Sequence, residues 1–139
     1  MRAQNYYILL AISLAILSGC KAISVNSSAV DNSIIGSWEG CDERIITFTK
    51  EENPTADGKD GEIIGRYTKL GKLERYKFTQ NEIGYKLTEQ GPGLYIGTVK
   101  WQDPNGNETW KKVSITIEDS TYKSDGSDRC SEEMKRVNP

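Results

Sequence analysis

The chain has 139 residues, a formal net charge of −2 and 27% charged residues, with three cysteines and no histidine. Nucleic-acid binding requires a basic face that displaces counterions from phosphates, and the near balance of acidic and basic side chains argues against it. The absence of histidine removes the commonest general base and the commonest metal ligand. Length and composition therefore favour one soluble globular domain without nucleic acid as a partner.

The first 20 residues have the pattern of a leader for export. Arg2 gives the start a positive charge, and residues 6–17 are almost entirely apolar. This run is shorter than the roughly 20 residues of a membrane-spanning helix and is typical of a secretory signal peptide. An ordinary signal peptide followed by an incidental cysteine, or an uncleaved anchor helix, are the alternatives.

Residues 17–20 read Leu-Ser-Gly-Cys, which resembles the lipobox of bacterial lipoproteins. The resemblance implies that residues 1–19 are a signal peptide cut off just before Cys20, and that Cys20 then carries lipid, including an acyl chain such as palmitate. Several acyl chains on one residue make membrane anchoring stable. By the same resemblance, Lys21 in place of an aspartate favours the outer membrane, with the protein facing the periplasm.

Residues 20–33 are expected to form a flexible tether. They are mostly small and polar, without a sustained hydrophobic period, as is typical of linkers. A coil of this length would hold the folded domain about 20 Å from the lipid. The folded domain is then expected to span residues 34–139.

Lipidation of Cys20 leaves Cys41 and Cys130, which in an exported chain most simply form one disulfide. Two reduced thiols are the alternative. The bridge would close a loop of 89 residues and stabilise the fold by on the order of 4 kcal/mol. It would also join the first strand to the last, which are neighbours when a sheet closes on itself.

The domain from Ile34 onward is predicted to be all-β, because short β-rich runs with alternating apolar residues are separated by turn residues. Turns recur at the spacing of a small antiparallel meander that closes into a barrel or sandwich of about eight strands. The predicted strands are residues 35–39, 44–50, 62–70, 73–80, 82–89, 94–102, 108–118, 121–123 and 134–137.

Isoleucine-glycine pairs place Gly65, Gly84 and Gly97 inside predicted strands. Glycine weakens a strand, so its presence there needs a physical reason. Sharp coiling of the strand as a barrel closes is one reason, and clearance for a ligand is another.

A Gly-x-Trp motif in the first strand, at Gly36 and Trp38, together with the meander and the terminal cysteine pair, resembles the lipocalin-like small barrels. The resemblance covers residues 34–137 by pattern and implies an antiparallel eight-stranded barrel. A barrel of this strand number is either filled by its own side chains or holds one small ligand.

Aromatic residues are the candidate ligand-binding groups, because aromatic side chains line many small-molecule sites. Trp101 and Trp110 flank the turn at residues 103–107, which predicts that both lie near one open end of the sheet. Packing in the core is the alternative for all of them. The candidates are Trp38, Tyr67, Tyr85, Tyr95, Trp101 and Trp110.

No metal site, cofactor or catalytic constellation is expected. The Asp103-x-Asn105-x-Asn107 spacing opens like a calcium loop, but Glu108 and Ser114 stand where such a loop needs glycine and a carboxylate. A turn rich in Asn and Asp explains the spacing better. Without histidine or a recognisable nucleophile and base, an enzyme is not expected.

Two functions remain open for the domain. The first is a binding module for a small apolar ligand, in a cavity lined by Tyr67, Tyr85, Tyr95 and Trp101. The second is a protein-binding module, such as an inhibitor of an exported hydrolase or an envelope-assembly factor. In that case the loops at residues 51–61 and 103–107 are expected to make the contacts.

Overall fold

The computed structural model describes residues 31–52 and 61–138. The predicted signal peptide, Cys20, most of the tether and residues 53–60 of the predicted loop lie outside the described residues. The described part of the chain holds eight strands: β1 (Gly36–Glu39), β2 (Ile45–Lys50), β3 (Ile63–Lys69), β4 (Ile83–Gly91), β5 (Leu94–Gln102), β6 (Glu108–Glu118), β7 (Thr121–Asp125) and β8 (Glu133–Arg136).

The eight strands form a closed barrel in which neighbours along the chain are neighbours in the sheet. All pairs are antiparallel, and the barrel closes where Trp38 of β1 pairs with Arg136 of β8. Closure gives every strand two hydrogen-bonded neighbours and removes the exposed sheet edges that promote aggregation. The predicted all-β meander and its closure of first strand on last are therefore confirmed.

Because neighbouring strands are antiparallel, the connections that join them lie alternately at one end of the barrel and at the other. One end, here called the disulfide end, carries the connections after β1, β3, β5 and β7. The other end, here called the amino-terminal end, carries the connections after β2, β4 and β6, together with the start of β1 and the end of β8. All eight strands and both cysteines lie within residues 31–139, so a fragment of that range, here called the barrel fragment, contains every pairing that closes the barrel.

Cys41 and Cys130 form a disulfide, as predicted, with their Cα atoms 4.8 Å apart. Cys41 follows β1 and Cys130 precedes β8, so the bond lies at the disulfide end and links the two strands that close the barrel. The N–H of Cys41 also donates a hydrogen bond of 3.3 Å to the carbonyl of Cys130.

Aromatic side chains fill the barrel interior. The Trp38 and Tyr122 ring centres are 5.3 Å apart, and the Tyr85 ring lies 5.5 Å from that of Phe48 and 6.2 Å from that of Tyr67. All five are almost fully shielded from solvent. The interior between these rings is a packed core in which the side chains themselves supply the apolar contacts.

Two of the strand glycines make room for these rings. A Cβ at Gly84 would lie 2.2 Å from Cε2 of Tyr67, and a Cβ at Gly65 would lie 2.6 Å from Cε1 of Phe48. No side chain larger than hydrogen fits at either position without moving a buried ring. Close approach of aromatic core residues thus explains glycine at these two positions, and the β3–β4 register also shifts between Gly65 and Arg66.

The strand predicted at residues 73–80 is wrong. The structure has a 3₁₀ helix at Gly71–Tyr76, bounded by left-handed backbone at Gly71 and Lys77, with φ of 58° and 65°. Three residues complete one turn of such a helix, so Leu73 and Tyr76 lie on the same face. This face turns toward the barrel, where Leu73 and Phe78 are buried. The alternating pair Tyr76 and Phe78 is therefore divided between the end of this helix and the chain that follows it.

Candidate functional site

A cleft of about 430 Å³ opens at the disulfide end, between the 3₁₀ helix Gly71–Tyr76, the disulfide and the end of β5. This volume lies within the range of about 300–1,000 Å³ that small-molecule sites occupy. A second, more open depression of about 630 Å³, on the side of Thr68, Lys69 and Glu74, has a mainly polar lining. The smaller cleft is the candidate site because apolar side chains converge on it.

Five apolar or aromatic side chains form one wall of the cleft. Tyr67, Leu73 and Phe78 are buried, and Tyr76 and Trp101 pack partly buried against them. The Tyr67 and Phe78 rings meet edge to face, with centres 5.2 Å apart. Burial raises the pKa of the Tyr67 hydroxyl well above its ordinary value, so this residue contributes a neutral side chain. Tyr76 and Trp101, the partly buried members, present most of the apolar surface that a ligand can contact.

A buried ion-pair cluster forms another part of the cleft lining. The Arg44 guanidinium donates to both oxygens of Asp42, over 2.7 and 2.8 Å, and to Oδ2 of Asp128 over 2.5 Å. Only 5% of Arg44 is exposed. Burial alone would raise the pKa of Asp42, but hydrogen bonds from Arg44 and from the N–H of Lys72 outweigh it and lower that pKa to about 2. The Asp42 carboxylate is therefore charged near neutral pH, and both carboxylates are already occupied by Arg44.

This cluster fixes the cleft by joining its separate chain segments. Asp42, in the β1–β2 connection, accepts a hydrogen bond of 3.0 Å from the N–H of Lys72 in the 3₁₀ helix. Asp128 caps a second 3₁₀ helix, Arg129–Ser131, by accepting from the N–H of Cys130. Arg44 bridges the two carboxylates, and the disulfide lies beside them. The walls are held in place before any ligand arrives, which reduces the ordering cost of binding.

Cationic side chains surround the cleft. Lys72, Arg75 and Arg129 line it and are exposed, and none of them takes part in an ion pair among residues 31–52 and 61–138. Lys100 also lines the cleft, but its ammonium group is 2.9 Å from Glu82 and 3.0 Å from Glu108. Three positive charges on the rim are thus left without a partner from the described chain.

The predicted ligand residues separate into three groups. Tyr67 and Trp101 line the cleft. Tyr85 and Tyr95 are buried in the core, where the Tyr85 hydroxyl lies 3.2 Å from that of Ser127 and the Tyr95 hydroxyl donates to a backbone carbonyl. Trp38 is fully buried beneath Arg136, whose guanidinium carbon lies 4.4 Å from the ring centre. The predicted cavity lined jointly by Tyr67, Tyr85, Tyr95 and Trp101 is therefore not present, because the core occupies that space.

Trp110 alone forms the third group, which lies on the outer face of the barrel, and it does not contact Trp101. In the β5–β6 register Trp101 lies opposite Thr109, while Trp110 lies opposite Lys100. Successive side chains of a strand point to opposite faces, so the two tryptophans lie on opposite sides of the sheet. Trp110 is 36% exposed on the outer face, with the ammonium groups of Lys86 and Lys100 at 5.0 and 5.6 Å from its ring centre. Both tryptophans thus lie near the disulfide end, as predicted, but on opposite faces of the sheet, so they do not line one opening.

The two predicted contact loops lie at opposite ends of the barrel. Residues 103–107 connect β5 to β6 at the disulfide end, whereas residues 51–61 connect β2 to β3 at the amino-terminal end. The predicted Asx turn is confirmed, since the Asp103 carboxylate accepts from the N–H groups of Asn105 and Asn107.

Several cleft residues gave no signal in the sequence. The sequence pattern predicts a strand at Leu73, Tyr76 and Phe78, and it predicts Arg44 only as the first residue of a strand over residues 44–50. An arginine two residues after an aspartate, beside a cysteine, was the one available hint of a buried ion pair. Its second carboxylate, Asp128, is 84 residues further along the chain and is brought near only by closure of the barrel.

Comparisons with protein-family models, curated proteins and solved structures found no match for this chain. Within residues 31–52 and 61–138, no helix is long and apolar enough to span a membrane. The same residues contain no group of three or more acidic or cysteine side chains arranged to hold a metal ion. The functional interpretation therefore rests on the geometry of the cleft and on the sequence.

Proposed function

We propose that this protein is a lipid-anchored lipoprotein of the cell envelope whose barrel binds a small apolar ligand without catalysis. The observation that carries the proposal is the cleft of about 430 Å³ at the disulfide end, with its apolar wall. Ligand sites of this kind combine an apolar lining with a few fixed polar groups. The Arg44 cluster supplies the fixed polar side, since it holds the surrounding segments in one arrangement.

The topology is consistent with an anchor at the opposite end of the barrel. Residues that lead into β1 approach at the amino-terminal end, while the cleft lies at the disulfide end. With Cys20 inserted in the periplasmic face of the outer membrane, the tether would reach the barrel from the membrane side. The cleft would then face away from the lipid, open to ligands in the periplasm.

Tryptophan fluorescence of the barrel fragment, titrated with the neutral apolar dye phenylnaphthylamine, tests ligand binding. Trp101 lies in the cleft and Trp110 lies outside it, so the two residues give matched variants. We expect the dye to bind and to quench tryptophan emission in Trp110→Phe, and to quench Trp101→Phe much less. Absence of dye binding, or equal quenching in both variants, would contradict the proposed site.

A protein-binding role is the second candidate, and one surface favours it. Leu94, Ile96 and Trp110 are 36–45% exposed on the outer face of β5 and β6. Exposed apolar side chains on one face are typical of contacts with another protein.

A photo-crosslinking residue at position 96, compared with one at position 123, tests whether an envelope protein covers this face in intact cells. Equal labelling at both positions would count against it.

A further inference from the structure

We infer that the ligand of the cleft is an anionic amphiphile, with one acidic group attached to an apolar body. This inference rests on the proposed function and specifies the chemistry of the same site. The apolar body would lie against Leu73, Tyr76 and Trp101, and the acidic group would be held by Lys72, Arg75 and Arg129. Three observations support it.

The first observation is the charge that remains around the cleft once internal ion pairs are formed. Asp42 and Asp128 both accept from Arg44, so neither is available to a ligand. Lys72, Arg75 and Arg129 then remain as charged groups of the lining outside any ion pair of the described residues. The chain as a whole has a net charge of −2. Arg44 faces two carboxylates and Lys100 faces two others, so each of these clusters has a net charge of −1. With the three unpaired cations, the cleft and its ion-pair partners keep a net charge of +1 on an acidic protein, which favours anions over cationic amphiphiles.

The second observation is the placement of Arg75 beside the apolar wall. Its Nε donates a hydrogen bond of 3.2 Å to the carbonyl of Lys72, and its guanidinium carbon lies 5.5 Å from the centre of the Tyr76 ring. The guanidinium is therefore held next to an aromatic side chain that lines the cleft. Its remaining N–H groups suit the oxygens of a carboxylate or phosphate, which a guanidinium binds through two parallel hydrogen bonds.

The third observation is a pair of buried polar atoms in the cleft lining. Nε1 of Trp101 and Oε1 of Gln102 are shielded and have no hydrogen-bond partner among the described residues. Buried polar groups normally have partners, so each such atom needs an explanation. The Trp101 N–H is a donor, and rotation of the Gln102 amide presents a second one. Successive side chains of a strand point to opposite faces, so one anionic oxygen can meet only one of the two groups. The Trp101 N–H, a donor on a ring that lines the cleft, is the group suited to it.

Two dyes with the same aromatic skeleton test this inference in the barrel fragment. Phenylnaphthylamine is neutral, and anilinonaphthalenesulfonate carries one sulfonate. We expect the sulfonate dye to bind about three- to tenfold more tightly, as exposed cations contribute modestly. Raising the salt concentration to about 0.5 M should remove the preference, because it screens exposed charges. Competition by dodecanoate and by dodecyl phosphate then shows whether a carboxylate or a phosphate is preferred.

Matched variants separate this inference from the proposed function. Lys72→Gln/Arg75→Gln/Arg129→Gln removes all three cations assigned to the acidic group and should bring the ratio of the two dye affinities to about one. Lys123→Gln/Lys135→Gln, which removes two exposed lysines away from the cleft, should keep the preference. Two results would overturn this inference alone. One is that the wild type binds the neutral dye as tightly as the sulfonate dye, and the other is that the first variant still prefers the sulfonate dye. Binding of neither dye overturns the proposed function as well.

Discussion

Replacement of Arg44 by methionine should destabilise the barrel severely. Methionine keeps much of the side-chain length but removes the guanidinium, so Asp42 and Asp128 lose their shared cation. The Asp42 side chain is only 3% exposed and that of Asp128 is 33% exposed. Asp42 would then be a charged group with little access to water, which is the costly outcome of breaking a buried ion pair.

Loss of one partner from a buried pair costs about 3–5 kcal/mol. In a domain of this size each kcal/mol lowers the melting temperature by about 4 °C, so Arg44→Met should melt about 12–20 °C lower. The triple variant Asp42→Asn/Arg44→Met/Asp128→Asn should recover much of the lost free energy of unfolding, because neutral amides replace the carboxylates that have no cation beside them. Urea unfolding of the barrel fragment, followed by tryptophan emission and circular dichroism, measures all three proteins.

The pH dependence gives an independent check on the same cluster. The pKa of Asp42 is lowered from 3.8 to about 2 in the folded protein. Its charged form therefore contributes stability above about pH 4, and this contribution is lost as the pH falls toward 2. The difference in unfolding free energy between wild type and Asp42→Asn should be constant near neutral pH and shrink in that window. A cost below about 1 kcal/mol for Arg44→Met at pH 7 would refute the reasoning.

Three further predictions concern the bridge, the core and the anchor. Cys41→Ser/Cys130→Ser should lower the unfolding free energy by about 4 kcal/mol in urea titrations, unless the unfolded chain is already compact. Gly84→Ala should cost about 1–3 kcal/mol in the same titrations because its Cβ would overlap a buried ring, whereas Gly91→Ala, where no atom lies within 4 Å, should cost much less. Radioactive palmitate should label the wild type and not Cys20→Ala, and equal labelling of both would contradict lipidation.

The strands were predictable because their signal is local. Apolar residues alternate along β4, β5 and β6, and turn residues separate the strands. The alternation and the turn residues therefore indicate the same strand boundaries. Closure of the barrel was predictable from one long-range clue, the two cysteines at the ends of the domain. The exception was the segment around Leu73, where Tyr76 and Phe78, two positions apart, fit one face of a short strand, whereas the chain forms a 3₁₀ helix that ends at Tyr76.

The cleft was much less predictable. Its lining depends on the strand register, which decides the face on which each side chain lies, and on contacts between residues far apart in the sequence. Trp101 and Trp110 flank one turn, but the pairing set by that turn places them on opposite faces, and a shift by one residue reverses the face of every side chain. The Arg44–Asp128 pair depends on closure of the sheet around the whole barrel. Residue type alone also could not separate Tyr67, which lines the cleft, from Tyr85, which the core encloses.

The most direct test of the ligand-binding cleft is a nuclear magnetic resonance titration of the isotope-labelled barrel fragment with phenylnaphthylamine. Ligand binding at the disulfide end predicts that the largest shifts fall on the amides of Leu73 and Tyr76 and on the indole N–H of Trp101. The indole signals of Trp38, in the core, and of Trp110, on the outer face, should change little. Shifts centred on Ile96 and Trp110, or no saturable shifts at all, would contradict a ligand site in the cleft.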